Sequence, residues 1–246
     1  MTNSATSTGA AGAAGPRPPR PVGTVYVSGG SSGLGAAVVE AVRRRGGVPV
    51  VIDRVAPKDD VEFALADLAN TGEAAEAVRD LVHRVGPPTA LVTAAGIDAC
   101  GPLGEIEAEV WERVVKVNLF GTVALVRACL PYLKEARGTV VTVASTLGIK
   151  AVSDATAYCA SKFAVVGFTR SLAAELAGQV GVTLLIPGGM QTAFFDGRSE
   201  QYRPGPDAIL NDPADTAEAV LTVLTQPIGS EIRELVVAAS TEPSWP

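Results

Sequence analysis

Short apolar runs rich in β-branched residues alternate along the chain with longer segments in which apolar residues recur every three to four positions. The short runs predict seven strands, over residues 24–28, 48–53, 61–65, 90–93, 139–144, 182–186 and 235–238. The longer segments predict helices, over residues 32–45, 71–84, 107–117, 119–135, 157–177 and from 212 onward. Whether the helices 107–117 and 119–135 are nearly continuous stays open at this point. Strands that alternate with helices of this length are typical of right-handed βαβ units. We therefore expect an α/β fold with a single Rossmann-type, doubly wound parallel sheet of about seven strands and helices on both faces.

The ends of these elements carry recognisable signals. Thr71 is expected to cap the second helix, and Asp212 the last one, which opens with Pro213. Residues 1–21 are rich in Ala, Gly, Ser, Thr and Pro and are predicted to be a disordered tail. Residues 22–246 are predicted to form one domain, in which residues 190–211 show no periodicity.

Composition excludes several classes of protein. The net charge of −6 argues against a nucleic-acid surface. Three cysteines without a CxxC pair are expected to be reduced thiols, and the single histidine, His83, is expected to be an ordinary helix residue, so no metal site is predicted. No apolar run reaches the roughly 18 residues that span a membrane. We expect a cytoplasmic protein with neither nucleic-acid nor membrane partners.

A glycine-rich loop lies between the first predicted strand and the first predicted helix. Glycines let the backbone turn tightly and approach a pyrophosphate, and the helix N-terminus supplies free N–H groups and a partial positive charge. Asp53 stands 20 residues after Gly33 at the end of the second strand, where its carboxylate can accept hydrogen bonds from an adenosine ribose. The pattern predicts a dinucleotide site whose loop residues are Ser28, Gly29, Ser31, Ser32, Gly33, Leu34 and Gly35.

Further motifs follow this loop in order. They are Thr93-Ala94-Ala95-Gly96, then Tyr158-Cys159-Ala160-Ser161-Lys162, then Pro187-Gly188 with Thr192. Together with the glycine spacing Gly-x-x-x-Gly-x-Gly, they make residues 22–238 resemble the short-chain dehydrogenase/reductase family. The resemblance implies an oxidoreductase that moves a hydride between a nicotinamide cofactor and an alcohol or ketone. It also implies a substrate lid at residues 190–211, in which Phe194 and Phe195 are candidates to contact substrate.

The resemblance assigns further cofactor contacts. Asp67 and Leu68 are expected beside the adenine ring. The remaining implied contacts are Ala94, Ala95, Gly96, Tyr158, Lys162, Pro187, Gly188 and Thr192. Two departures from the family pattern stand out: Ser28 replaces the usual Thr but keeps a hydroxyl, and Thr93 with Ala94 replaces two asparagines.

The same resemblance implies four catalytic residues. Tyr158 would act as general acid and base, although a free phenol has a pKa of about 10. Lys162, one helical turn away, is expected to lower that pKa by attraction and to bind the nicotinamide ribose. Ser145, thirteen residues before the tyrosine, would hold the substrate oxygen. Asn118 would support a chain of waters that returns protons to solvent.

Three alternatives to an NAD-dependent alcohol dehydrogenase remain at this point. An NADPH-preferring carbonyl reductase is favoured by Arg54, which could reach a 2′-phosphate. A dinucleotide-sensing regulatory protein would bind cofactor without turnover, and a nucleotide-sugar epimerase would need a sugar domain for which the chain has little length. NAD is expected over NADP because Asp53 would repel the 2′-phosphate. Two helices that are apolar on more than one face, 119–135 and 157–177, predict a homodimer or homotetramer.

Overall fold

A seven-stranded sheet forms the centre of the protein in the computed structural model, which describes residues 15 and 17–245. The strand order is β3-β2-β1-β4-β5-β6-β7, and every neighbouring pair is parallel. The strands are β1 (Thr24–Ser28), β2 (Val48–Asp53), β3 (Glu62–Leu65), β4 (Ala90–Thr93), β5 (Thr139–Val143), β6 (Gly181–Pro187) and β7 (Glu234–Val237). The predicted doubly wound sheet is confirmed.

Helices cover both faces of the sheet. They are α1 (Gly33–Arg44), α2 (Thr71–Arg84), α3 (Ala108–Val115), α4 (Thr122–Ala136), α5 (Thr156–Glu175) and α6 (Pro213–Leu224). Helices α1 and α6 bury their apolar residues on one face of the sheet. Helices α2, α4 and α5 pack on the other face, around Tyr26, Leu91 and Val140. Both faces are therefore buried, which explains why the central strands read as continuous apolar runs rather than as alternating ones.

One predicted helix boundary is corrected. Asn70, not Thr71, caps α2, because its side chain accepts a hydrogen bond from the Gly72 amide at 3.0 Å. The two helices on either side of residue 118, which the sequence left open to being nearly continuous, form one helix, Ala108–Ala136, in which a π-helical turn, Lys116–Gly121, joins α3 to α4. The cap at Asp212 is confirmed, since its carboxylate accepts from the Ala214 amide at 2.8 Å.

The continuous helix Ala108–Ala136 is also, within the part of the chain that the structure describes, the one helix long and apolar enough to cross a bilayer. Leu125, Cys129 and Leu133 on this helix are fully buried in the core beside the sheet. Packing in the core therefore explains part of the apolar surface of this helix.

Most of the predicted N-terminal tail lies outside the described residues. The last part of it contacts the domain: Arg17 donates to the Ile228 carbonyl at 2.7 Å, and Arg20 donates to the Leu224 carbonyl at 2.8 Å. These two arginines attach the segment to the end of the sheet opposite the glycine loop.

The carboxyl ends of the strands define where a ligand can bind. The chain winds outward from β1 in one direction through β2 and β3, and in the other through β4 to β7. At such a reversal, the loops after β1 and β4 separate and leave a crevice at the carboxyl edge. The candidate residues of the sequence analysis lie at or near this edge.

Candidate active site

The loop between β1 and α1 is shaped by its glycines. Gly29 has φ of +69°, and a Cβ atom there would lie 2.7 Å from the backbone nitrogen of Ala95. A Cβ on Gly35 would collide with the carbonyl oxygen of Gly29. Gly33 also lies in the left-handed region, at φ +52°. The loop can therefore keep this path only with glycine at these positions.

The first turn of α1 offers unpaired amides at the crevice. Ser32 occupies the N-cap position without a side-chain capping bond, and the first turn, which includes Leu34, carries no acidic residue. The Ser31 hydroxyl donates to the Val55 carbonyl at 2.6 Å, which fixes the loop beside β2. An uncapped helix N-terminus next to a glycine loop is an arrangement that binds a pyrophosphate.

Ser28 connects the glycine loop to the loop after β4. Its hydroxyl oxygen accepts a hydrogen bond from the Ala95 amide at 3.2 Å, and its carbonyl accepts one from the Ala94 amide at 3.2 Å. Ser28, which stands where the family usually has Thr, thus makes the turn-stabilising bond with its own hydroxyl. Thr93, which replaces an asparagine of the family motif, is buried and its hydroxyl has no hydrogen-bond partner among the described residues.

Asp53 lies at the end of β2 and faces the glycine loop. Its carboxylate accepts hydrogen bonds from the Ser31 amide at 3.0 Å and from the Val55 amide at 3.3 Å. A negative charge is therefore fixed where the loop and the second strand meet. Arg54, the next residue, is exposed, and its charge helps to lower the pKa of Asp67.

Asp67 and Leu68 follow β3 at the same edge. The Asp67 carboxylate accepts from the Ala69 amide at 3.0 Å and from Arg113 at 2.8 Å, and these two bonds hold its pKa below the usual value. Leu68 is buried against Gly121 in the π-helical turn. The structure thus brings both residues to the β2–β3 side of the crevice.

Asn118 lies inside the π-helical turn and is almost completely buried. Its amide oxygen accepts from the Ile97 amide at 2.8 Å, and its amide nitrogen donates to the Ile97 carbonyl at 2.9 Å. The same nitrogen donates to the Ser161 hydroxyl at 2.9 Å. The widened turn thereby places Asn118 between the loop after β4 and helix α5, close to Gly96.

Tyr158 and Ser145 meet in front of β5. Tyr158 lies in the first turn of α5, and Ser145 precedes a short 3₁₀ turn, Thr146–Gly148, whose Leu147 amide donates to the serine hydroxyl at 3.1 Å. Both side chains are buried. Burial raises the pKa of Tyr158 above its ordinary value, although a hydrogen bond with Ser145 lowers it in part. The expectation of a lowered pKa is therefore corrected for the protein alone: desolvation outweighs the opposing interactions.

Lys162 is one helical turn beyond Tyr158 and is only 4% exposed. Its ammonium donates to the Val143 carbonyl at the end of β5, at 2.9 Å, and lies 5.5 Å from the centre of the Tyr158 ring. Burial lowers the pKa of Lys162 to about 8, while the charge of Asp98 acts in the opposite direction. This hydrogen bond to a strand carbonyl holds the buried ammonium group near the tyrosine.

The segment after β6 forms the remaining wall of the crevice. Pro187 ends the strand, and Gly188 donates to the Val237 carbonyl at 2.9 Å. Thr192 packs against Gly33 of the glycine loop and caps the 3₁₀ turn Ala193–Phe195. The family motif after β6 therefore contacts the predicted phosphate site directly.

An ion pair that the sequence analysis missed closes the lid segment, residues 190–211, onto this wall. Arg198 donates to the Asp98 carboxylate at 2.7 Å, and the two side chains are only 17% and 7% exposed. The Arg198 guanidinium also lies within 4.9 Å of the centres of both the Phe194 and Phe195 rings, and Phe194 packs against Tyr158 at 5.6 Å. The available signal was an acidic residue, Asp98, two positions after Gly96. Its partner is 100 positions away, so the sequence alone does not reveal the pair.

The base of the lid segment is also fixed by backbone bonds. The Gln191 amide donates to the Asn211 carbonyl at 2.8 Å, and the Asn211 amide donates to the Gly189 carbonyl at 2.9 Å. The predicted aperiodicity of this segment holds except for two short 3₁₀ turns, Ala193–Phe195 and Glu200–Tyr202. Phe194 and Phe195 thus lie between this fixed base and Tyr158.

These residues together fit a nicotinamide dinucleotide. The uncapped N-terminus of α1 suits the pyrophosphate, and Asp53 suits a ribose with two free hydroxyls. The opposite half of such a molecule would extend over β4, β5 and β6 toward Ser145 and Tyr158. The fold and site are thus those of an α/β protein that can hold a dinucleotide beside a buried tyrosine and lysine.

Comparisons with known proteins agree with this class. A family model described as short chain dehydrogenase matches residues 23–203. An uncharacterized oxidoreductase of Staphylococcus saprophyticus is 32% identical over 227 residues, which cover 86% of this chain and 94% of that protein. A 2-(S)-hydroxypropyl-CoM dehydrogenase of Xanthobacter autotrophicus is 29% identical over 226 residues, which cover 82% and 89%. The chain belongs to the short-chain dehydrogenase family, and it is accordingly an oxidoreductase of a family that uses nicotinamide cofactors.

A solved structure shows the same fold. The alcohol dehydrogenase of the archaeon Thermococcus sibiricus, complexed with 5-hydroxy-NADP, superimposes with a TM-score of 0.78 at 22% identity, covering 88% of this chain and 96% of that one. At this identity the likeness supports the fold, and the predicted family and architecture are both confirmed.

The Asp98–Arg198 pair gives a testable property of the lid segment. Arg198→Met keeps the apolar stem but removes the charge, so we expect amide hydrogen exchange across residues 190–211 to become several-fold faster. Arg79→Met, at an exposed arginine on α2, is the matched control and should leave that segment unchanged. Unaltered exchange in Arg198→Met would show that the backbone bonds at the base hold the segment without the ion pair.

Proposed function

We propose that the protein is an NAD-dependent alcohol dehydrogenase or carbonyl reductase in which Tyr158 is the general acid and base. The observation that carries the proposal is the burial of Tyr158 and Lys162 together beside Ser145, at the carboxyl edge of the sheet and in line with the glycine loop. Buried ionisable groups with shifted pKa values cluster at catalytic sites. The proposed substrate is a small alcohol or ketone, and the proposed location is the cytoplasm.

The bound cofactor would supply or accept the hydride and, when oxidised, would bring one positive charge. Ser145 would hold the substrate oxygen, because its hydroxyl lies beside Tyr158. Since burial raises the pKa of Tyr158, the phenol is protonated at neutral pH and can donate its proton at Oη to the oxygen of a ketone being reduced. Lys162 would stabilise the resulting phenolate by its charge.

Proton exchange with solvent would pass along the buried polar groups behind the tyrosine. Asn118 contacts the Ser161 hydroxyl, which in turn donates to the Tyr158 carbonyl at 2.8 Å. Asn118 and Lys162 both lie 3.5 Å from the position of a Cβ on Gly96. The closeness of Asn118 and Lys162 to the same glycine supports a role of Asn118 in organising waters between the lysine and the surface.

Removing the phenol hydroxyl tests the chemistry directly. In Tyr158→Phe the ring packing is kept but the proton donor is lost, so turnover should fall by on the order of 10²–10⁴-fold. Turnover is read as absorbance of the reduced cofactor on a panel of alcohols and ketones, and equilibrium binding of the cofactor should be largely retained. Tyr132→Phe on α4 is the matched control. Near-normal turnover in Tyr158→Phe would exclude it as acid and base, and cofactor binding by the wild type without turnover on any compound would favour a sensor.

The geometry of Asp53 supports NAD over NADP. A 2′-phosphate would bring about two negative charges toward a carboxylate that is already bound to the glycine loop at the Ser31 amide. Ser31 and Ser32 add no positive charge to the loop. Arg54 is exposed and its charge acts on Asp67, so it offsets the repulsion only in part.

We expect the wild type to prefer NAD by at least about tenfold in kcat/KM, which corresponds to ~1.4 kcal/mol. Asp53→Ala should shrink or reverse this preference, because it removes the repulsion and the ribose bonds together. Asp59→Ala, at an exposed acid in the loop after β2, serves as the control. A wild type that prefers NADP would instead support the carbonyl reductase in which Arg54 dominates.

The outer faces of α5 and of the π-helical turn that leads into α4 support assembly into a homodimer or homotetramer. Phe120 and Phe163 are 50% and 44% exposed. Gly167, in the middle of α5, meets nothing within 4 Å of an added Cβ. Glycine costs about 1 kcal/mol relative to alanine inside a helix, and no contact within the chain requires it here. A second copy packed closely on this face would account for all three residues.

Light scattering at micromolar concentration tests this assembly. We expect a mass of two or four chains for the wild type, and a smaller mass for Phe163→Glu, which places a charge on the proposed interface. Phe63→Glu, at a partly exposed position of the edge strand β3, should leave the mass unchanged. A monomeric wild type would contradict the proposal.

A further inference from the structure

The residues after β7 fold back over the carboxyl edge of the sheet. The Glu242 amide donates to the Ala239 carbonyl at 2.9 Å, which closes a turn. Beyond it, the Ser244 and Thr146 hydroxyl oxygens lie 2.6 Å apart, and Lys150 donates to the Pro243 carbonyl at 3.2 Å. The C-terminal segment is therefore attached to the loop that begins with Ser145.

Glu242 attaches the same segment to the loop after β6. Its carboxylate accepts a hydrogen bond from the Gly189 amide at 2.8 Å, and its other oxygen accepts from the Ser244 amide at 3.2 Å and from the Ser244 hydroxyl. A Cβ on Gly188 would lie 2.5 Å from the carboxylate, so the two residues are in close contact. Partial burial raises the pKa of Glu242, but these three bonds outweigh it and hold the pKa below the usual value.

The charge of Glu242 has no cationic partner in the part of the chain that the structure describes. None of the ion pairs within residues 17–245 includes it. Lys150 bonds to the neighbouring Pro243 carbonyl rather than to the carboxylate. Glu242 therefore places a fixed, uncompensated negative charge at the crevice, between the ends of β5 and β6.

This position is at the reactive end of the proposed cofactor site. The N-terminus of α1 would hold the pyrophosphate and Asp53 the adenosine, so the other half of the dinucleotide would extend toward β5 and β6. It must reach the substrate carbon that Ser145 and Tyr158 hold, because a hydride moves only between atoms in contact. The Ala144 amide bonds the Leu185 carbonyl at 2.8 Å, so the ends of β5 and β6 are immediate neighbours here.

We propose that Glu242 sets the preference of the site for the oxidised over the reduced cofactor, an inference that rests on the proposed function. The oxidised nicotinamide ring carries one positive charge and the reduced ring carries none. A carboxylate fixed at this end of the crevice would attract the oxidised form and would leave the affinity for the reduced form almost unchanged. The C-terminal segment is thus a specificity-determining part of the site.

Equilibrium titration of the purified full chain with NAD⁺ and with NADH, followed by calorimetry, measures this preference without turnover. Glu242→Gln keeps the shape and an acceptor for the Gly189 amide but removes the charge. We expect its Kd for NAD⁺ to rise by at least about tenfold, since even unit charges about 12 Å apart interact on that scale at an effective dielectric constant of about 20. Its Kd for NADH should change by less than about twofold.

Two variants separate charge from attachment. Ser244→Ala loses a bond within the segment but no charge, so its ratio of the two Kd values should match the wild type. Glu242→Asp keeps the charge and should restore most of that ratio, even if both affinities drop. Equal weakening of both cofactors in Glu242→Gln, or no change in either, would overturn the inference and leave the proposed function intact. A wild type that binds neither cofactor would overturn both.

Discussion

Two buried polar side chains fix the geometry of the site. Burial of Asn118 or Lys162 without hydrogen-bond partners would lower the free energy of unfolding by about 1–3 kcal/mol, or by more for the charged lysine. Each is satisfied by a backbone carbonyl at the carboxyl edge of the sheet, that of Ile97 for the asparagine and that of Val143 for the lysine. Because these bonds set the positions of the π-helical turn and of α5 against the sheet, they also place Tyr158, one helical turn before Lys162.

The lid segment and the C-terminal segment enclose the site from two sides. The lid segment reaches over through Arg198, which bonds Asp98 and contacts Phe194 beside Tyr158. The C-terminal segment reaches over through Glu242, which bonds Gly189. Asp98 is therefore paired with an arginine, whereas the half-buried Glu242 has no cationic partner among the described residues. Desolvation explains why the pKa of Tyr158 is raised in the protein alone rather than lowered, as Lys162 was expected to do.

The sheet, the glycine loop and the ordered motifs were predictable because each depends on local pattern. Strands β1, β2 and β4 begin and end as their apolar runs predict, and Asp53 falls at the end of its strand. The π-helical turn around Asn118 was not predicted, since the apolar spacing indicated only an interruption between residues 117 and 119. The Asp98–Arg198 pair and the Gly189–Glu242 bond join residues far apart in sequence, so only the folded chain brings them together.

The most direct test of this account is a crystal structure of the protein with bound NAD⁺. The account predicts the pyrophosphate over the N-terminus of α1, the adenosine ribose on Asp53, and the C4 atom of the nicotinamide ring facing the space between Ser145 and Tyr158. A substrate carbon held there would lie about 3–3.5 Å from C4. A nicotinamide ring bound away from Tyr158, or a dinucleotide that does not contact the glycine loop, would contradict it.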